Sequence, residues 1–376
     1  MTRFLQYLIL ILVLYSCKQH NSQEEKLNKG YSIVDLYKKP ISKWPKPIID
    51  EGVEWQEMKP IEINYNYFED IKKPEVMLGK LLFFDPKLSS SNQISCSSCH
   101  HPEMGWATHT EKSTGHNHLQ SSRNAPTILN VASKKIFFWD GRVASLENQA
   151  LGPITAHNEM NMNIDELPGK LQKVKRYEEL FKKVYKKENI TIEQVLSAIA
   201  AFERTIKSQP SKVDRFMKGS YKALTDSEIK GLHLFRTKAR CMNCHHGQFF
   251  TDQKFHNIGL TYYKREQEDL GRYNVTKNSE DVGKFLTPSL RDLLNTRPWM
   301  HNGFFDNLTG VVNMYNSGMQ MLNPSFEEKK KDSLFPVVDP LMKPLNLTNE
   351  EINDLVAFLK ALNGTKYKME IPEVPR

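Results

Sequence analysis

Long hydrophobic runs are almost absent from this chain. The clearest one, Leu8-Ile9-Leu10-Ile11-Leu12-Val13-Leu14, is too short to span a bilayer as a mature helix. A membrane-spanning body is therefore not expected. Strand-like alternation is also scarce, which argues against a β-rich fold. The net charge of +8 comes with no recognised nucleic-acid motif, so nucleic acid is not the expected partner. Cysteine is rare, five in 376 residues, and none is spare: four form two pairs and the fifth, Cys17, has its own context near the N-terminus.

The two pairs are Cys96-Ser-Ser-Cys99-His100 and Cys241-Met-Asn-Cys244-His245. This is the c-type haem attachment pattern, repeated. Two thiols three residues apart can add across the two vinyl groups of one haem, and the adjacent histidine is delivered under the iron as proximal ligand. Two cysteine pairs could instead bind zinc or form redox disulfides. Histidine at the same offset in both pairs, about one domain length apart, favours two covalent haem c groups.

Arg3, the short apolar run and Leu14-Tyr15-Ser16-Cys17 read as an export signal ending in a bacterial lipoprotein cleavage box. Removal of residues 1–16 would leave lipid on Cys17, tethering a periplasmic protein to a bacterial membrane. An ordinary signal peptide and a freely soluble protein is the alternative. Export agrees with haem c in either case, because that haem is attached outside the cytoplasm. Cleavage removes one cation, Arg3, taking the charge from +8 to +7.

Residues 17–73, polar and marked by Pro40, Pro45, Pro47 and Pro60, read as a tether and an irregular arm lying on the body. Helical patterns then begin, with Glu75 to Phe84 stopping before Pro86. Apolar positions over Thr191 to Ser208 give a buried helical face. Thr225-Asp-Ser-Glu228 and Thr348-Asn-Glu-Glu351 are capping boxes, the second opening a helix ended by Gly364. Lys170 to Lys187 reads as one amphipathic helix with a solvated basic face, or as a docking face for an acidic electron donor. The expected fold is mainly α: two c-type cytochrome domains in tandem, residues 74–215 and 216–376, each built around one covalent haem.

Arg123-Asn-Ala-Pro-Thr127, Phe138-Trp-Asp-Gly-Arg142, Leu146-Glu-Asn-Gln-Ala-Leu-Gly-Pro153, Asn158-Glu-Met160 and Arg297-Pro-Trp-Met-His-Asn-Gly303 resemble, in order, the bacterial dihaem cytochrome c peroxidases and the related MauG enzymes. The resemblance covers roughly residues 74 to 365. It implies that the first haem is the peroxide site, with His100 as proximal ligand, and that the second, on His245, receives an electron. It implies Glu159 as the acid–base group, after the Gln149 segment, and Trp139 as the aromatic between the haems. Asn124, Thr296 and Pro298 match positions that hold a calcium ion. His116, in Ser113-Thr-Gly-His-Asn-His118, matches a distal ligand that caps the first iron and must leave, with His118 as alternative and Gly115 supplying backbone freedom.

At the second haem the chain departs from the peroxidase pattern. Counted from His301, the axial methionine position holds Tyr315, as in the MauG branch, with Met314 beside it as the alternative ligand and Met319 four residues on. Thioether ligation raises a haem's potential, whereas phenolate favours ferric and higher states. Two activities are thus expected: reduction of hydrogen peroxide to water with electrons from a small cytochrome or similar donor, or MauG-like oxidation of a protein or organic substrate through a high-valent iron state. A plain electron carrier would need neither Glu159 nor Gln149.

Overall fold

The computed structural model describes residues 32–62, 67–319, 323–364 and 369–376. The segment read as an export signal, Cys17 and the first part of the expected tether lie outside the described residues.

The fold is mainly helical, with one two-residue antiparallel pair, Phe255–His256 with Phe285–Leu286. Seven helices matter for the sites: α1 Pro74–Phe84, α2 Leu146–Thr155, α3 Lys175–Tyr185, α4 Ile192–Glu203, α5 Asp226–Arg236, α6 Leu308–Asn316 and α7 Asn349–Ala361. Both expected capping boxes form, Thr225 with Glu228 at α5 and Thr348 with Glu351 at α7. Among the described residues no helix is long and apolar enough to cross a membrane.

Buried hydrophobic side chains fall into two clusters. One joins α1, α2, α3 and α4; the other joins α5, α6 and α7. The two halves repeat one packing solution. Gly79 of α1 faces α4 so closely that a Cβ there would come 1.8 Å from the Ala198 carbonyl oxygen; Gly231 of α5 would meet the Asp354 carbonyl oxygen of α7 at 2.0 Å. Four residues on, Phe83 packs against Phe202 with ring centroids 5.3 Å apart, and Phe235 against Phe358 at 5.1 Å. A helix crossing this tight requires glycine at the contact, and in each half the cysteine pair follows the glycine-bearing helix.

Three local expectations change. The basic stretch is two helices, Leu167–Gln172 and α3, because Val174 is extended between them. Its face is solvated, with local pairs such as Lys182–Glu188 at 2.7 Å, while Tyr177 and Phe181 are buried. Helix α4 stops at Glu203, short of Ser208. Gly364 does not end α7, which stops at Ala361; its amide donates instead to Asp292 Oδ1 at 2.9 Å.

The arm lies on the second half of the chain. Val34, Leu36, Tyr37, Trp44 and Met58 join the second cluster. Arg236, 1% exposed, holds it through Glu57 and the Pro45 carbonyl. At the other end Met369 and Val374 return to the first cluster, and Lys87 donates to the Pro375 carbonyl at 2.6 Å.

Candidate functional site

Each cysteine pair sits in a 3₁₀ turn, Cys96–Ser98 and Cys241–Asn243, that follows the glycine-bearing helix of its half. The turn brings the histidine beneath a large cavity. The first cavity, open to solvent, is lined by Cys96, Cys99 and His100; the second, also open, by Cys241, Cys244 and His245.

The two histidines are held alike. His100 Nδ1 lies 3.1 Å from the Trp106 carbonyl, and His245 Nδ1 lies 2.9 Å from the Phe250 carbonyl. A carbonyl only accepts, so Nδ1 carries the proton and Nε2 keeps its lone pair for a metal. Burial pushes His100 down to about 4 and lowers His245 as well, keeping both rings neutral. The four thiols are free and unbridged. Burial pushes the thiols of Cys96, Cys99 and Cys241 up, the opposite of an activated redox pair. The pairs line different cavities, so they do not converge on one zinc site. Two thiols and one neutral imidazole nitrogen at a roomy, mostly apolar cavity fit a covalent haem, twice.

Glu159 and Gln149 both line the first cavity, brought there by one helix and the turn that follows it. Gln149 lies on α2, which Ser145 caps by accepting from the Asn148 amide. Glu159 lies in the turn that follows α2, its amide donating to the Ala156 carbonyl at 3.0 Å. Burial raises the Glu159 carboxyl above its ordinary value, with Arg142 acting against the rise. Trp139 lines both cavities and is fixed by Nε1 donating to the Asn124 carbonyl at 2.9 Å.

Around Trp139 the halves are clamped together. Arg123 donates twice to Asp269, at 2.6 and 2.8 Å, and once to Asp140 at 2.6 Å. Asn124 lines both cavities, and Thr296 and Pro298 line the second. The Asn124 amide nitrogen donates to the carbonyls of Thr110 and Glu111 at 3.2 and 3.3 Å. Its side-chain oxygen is thereby left as the acceptor.

Tyr315 lines the second cavity, whereas Met314, its neighbour on α6, does not. Burial pushes the Tyr315 phenol up. Met319 is buried, 8% exposed, away from the lining. Neither His116 nor His118 lines the first cavity. His116 Nδ1 lies 3.3 Å from Ser90 Oγ, and its amide donates to the Glu159 carbonyl at 2.7 Å. His118 is exposed.

Some lining residues carried no legible signal. Glu203, at the end of α4, is 4% exposed in the first cavity, and burial pushes it up to about 8. Its only sequence mark is a charge beside Phe202 in an otherwise apolar helix. His256 lines the second cavity between Asp252, 2.8 Å from Nε2, and Asp339, 2.5 Å from Nδ1. Burial opposes its charge, but the two carboxylates win and push it up to about 12. With Cys244 it forms the one cluster of possible metal-ligating groups among the described residues, yet both ring nitrogens are already engaged. Met342 also lines this cavity; its distance in sequence from Cys241 hid it.

Residues 73–222 match the family model described as di-haem cytochrome c peroxidase. The chain is 38% identical over 304 residues to the methylamine utilization protein MauG of Methylorubrum extorquens, covering 80% of this chain and 81% of that one. It is 34% identical to the cytochrome c551 peroxidase of Nitrosomonas europaea, covering 79% and 82%. Among solved structures, a MauG-like protein associated with microbial copper homeostasis superposes with a TM-score of 0.69 at 26% identity, over 84% of this chain and 96% of that one. Repeated haem cradles, tandem helical halves and these relatives together establish that the chain belongs to the di-haem cytochrome c peroxidase and MauG family of oxidoreductases, which carry two covalent haem c groups.

Proposed function

We propose that the protein reduces hydrogen peroxide to water at the first haem, with electrons entering at the second from a small redox protein such as a cytochrome. The observation that carries this reading is the convergence of Glu159, Gln149, His100 and both thiols of the first pair on one cavity. Haem held there by Cys96, Cys99 and His100 would supply the redox chemistry that cleaves the peroxide bond. Glu159 takes a proton from the peroxide oxygen nearer the iron and returns it to the farther one, which then leaves as water. Gln149 supplies a neutral hydrogen-bonding group in the wall of the same cavity. Over the full cycle, peroxide, two electrons and two protons give two waters. Trp139, in the walls of both cavities, is the aromatic step between them. Glu159→Gln tests the assignment: peroxide turnover should fall by at least about a hundredfold while both haems stay in place. Unchanged turnover would remove Glu159 from the mechanism.

Tyr315 favours a second reading, MauG-like oxidation of a protein or organic substrate. Its place in the wall of the second cavity, with Met314 outside it, supports phenolate rather than thioether ligation. A ferric ion there would offset the burial that otherwise keeps the phenol protonated.

His116 is read as the switchable ligand of the first iron. Its loop is joined to Glu159 through the His116 amide, and Gly115 packs where a Cβ would come 2.3 Å from the Asn158 carbonyl. Movement of the loop would therefore reposition the acid–base group as well. The oxygens of Asn124, Thr296 and Pro298 are assigned to a calcium ion between the halves, a hard cation suited to neutral oxygen donors. Export to the periplasm follows from haem attachment, and the cleavage box supports a lipid on Cys17.

A further inference from the structure

The lysine and arginine side chains that line the cavities are Arg123, Lys134 and Arg142 in the first and Lys134, Arg240 and Lys343 in the second. Four of these have carboxylate partners. Arg123 pairs with Asp140 and Asp269, and Arg142 with Asp140 at 3.0 Å. Arg240 and Lys343 both pair with Asp50 of the arm. Lys134 differs on two counts: it is the one cation that lines both cavities, and its ammonium has no carboxylate or hydrogen-bond partner among the described residues. Burial alone pushes it down to about 8.

Its position is built from both halves. The turn Asn130 to Lys134 is pinned to the segment after α4, where Asn130 donates to Ser208 Oγ at 2.7 Å and accepts from the Ser208 amide at 3.0 Å. From the second half, Gln253 bonds on either side of Lys134, donating to the Ser133 carbonyl at 3.3 Å and accepting from the Lys135 amide at 3.2 Å. A half-buried lysine held this firmly, facing two cavities without a counter-charge, leaves its ammonium free to meet an anion placed in either. Each haem c brings two carboxylates, its propionates, and these must also find donors.

We propose that Lys134 is a shared positioning residue for the two haems, its ammonium lying between a propionate of the first and a propionate of the second. A cation there favours the ferrous form of both, because reduction adds negative charge. Lys134 therefore holds both midpoint potentials up and makes each haem sensitive to charge on the other.

The test is spectroelectrochemical titration of both haems in the holoprotein, comparing Lys134→Gln, Lys134→Met and Lys134→Arg with wild type. The charge-free variants should retain two haems per chain and show a fall in both midpoint potentials, with Lys134→Arg returning both toward wild type. Gln253→Ala is the second probe, since it loosens the turn and leaves the cavity charges in place; it should give a smaller fall at both haems. It also decides the matter if the charge-free variants do not mature. Potentials that stay unchanged, or a shift at one haem only, would overturn the shared anchor. Because the readout is potential and haem content, it can fail while the peroxidase reading stands.

Discussion

At the residue scale, the chemistry rests on a few side chains whose surroundings set their proton affinity. Glu159 has its carboxyl raised by burial. A raised carboxyl stays protonated to higher pH than an ordinary glutamate, and only the ionised form can accept a proton from peroxide. Turnover should therefore rise with pH through the raised pKa, and a pH–rate profile should place the acid limb above the ordinary glutamate range. A limb at the usual glutamate value would show that haem-loaded Glu159 is not desolvated. Tyr315 makes a second expectation: Tyr315→Phe should change the second haem's spectrum and raise its potential, while Met314→Leu changes little. The reverse pattern would assign the ligand to Met314. The two attachment motifs were fully legible in the sequence, because covalent chemistry fixes their spacing. Glu203, His256 and Met342 were not, since their roles depend on neighbours distant in the chain, and nothing local distinguishes a glutamate that ends a helix in solvent from one that ends it in a cavity.

At the scale of elements, the two halves share one helix crossing, built on Gly79 with Phe83 in the first and on Gly231 with Phe235 in the second. The capping boxes at Thr225 and Thr348 were readable because they are local hydrogen-bond patterns. The equivalence of Gly79 and Gly231 was not, since a glycine inside a helix normally marks weakness and only the partner helix shows it to be a contact. Gly231→Ala would drive a methyl into the Asp354 carbonyl, as Gly79→Ala would into that of Ala198. Each should destabilise by about 1–3 kcal/mol, read as a lower thermal midpoint, because the crossing must open to admit the methyl. A neutral outcome would mean that the helices are free to slide apart. The break at Val174 and the early end of α4 were missed for a different reason: periodicity reports a buried stripe, and a stripe continues across a kink or into an extended segment as long as the side chains still reach the core.

On the scale of the whole molecule, the tandem helical architecture was expected from the order of the motifs, but the crossing of the termini was not. The arm packs on the second half and the C-terminal residues on the first, an interlocking that sequence order gives no hint of. With Arg123 clamped to Asp269 across the halves, the two cavities share a wall that includes Trp139. Changing Cys96 and Cys99 together to alanine should leave one covalent haem per chain under denaturing conditions and abolish peroxide turnover, because Glu159 and Gln149 line the first cavity and not the second. The most direct measurement of the central claim is anaerobic reaction of the intact two-haem protein with hydrogen peroxide and a reduced small cytochrome c. Peroxidase activity predicts that two equivalents of cytochrome are oxidised for each peroxide consumed. With both haems demonstrably in place, peroxide that is left unconsumed or consumed without oxidation of the cytochrome would contradict it.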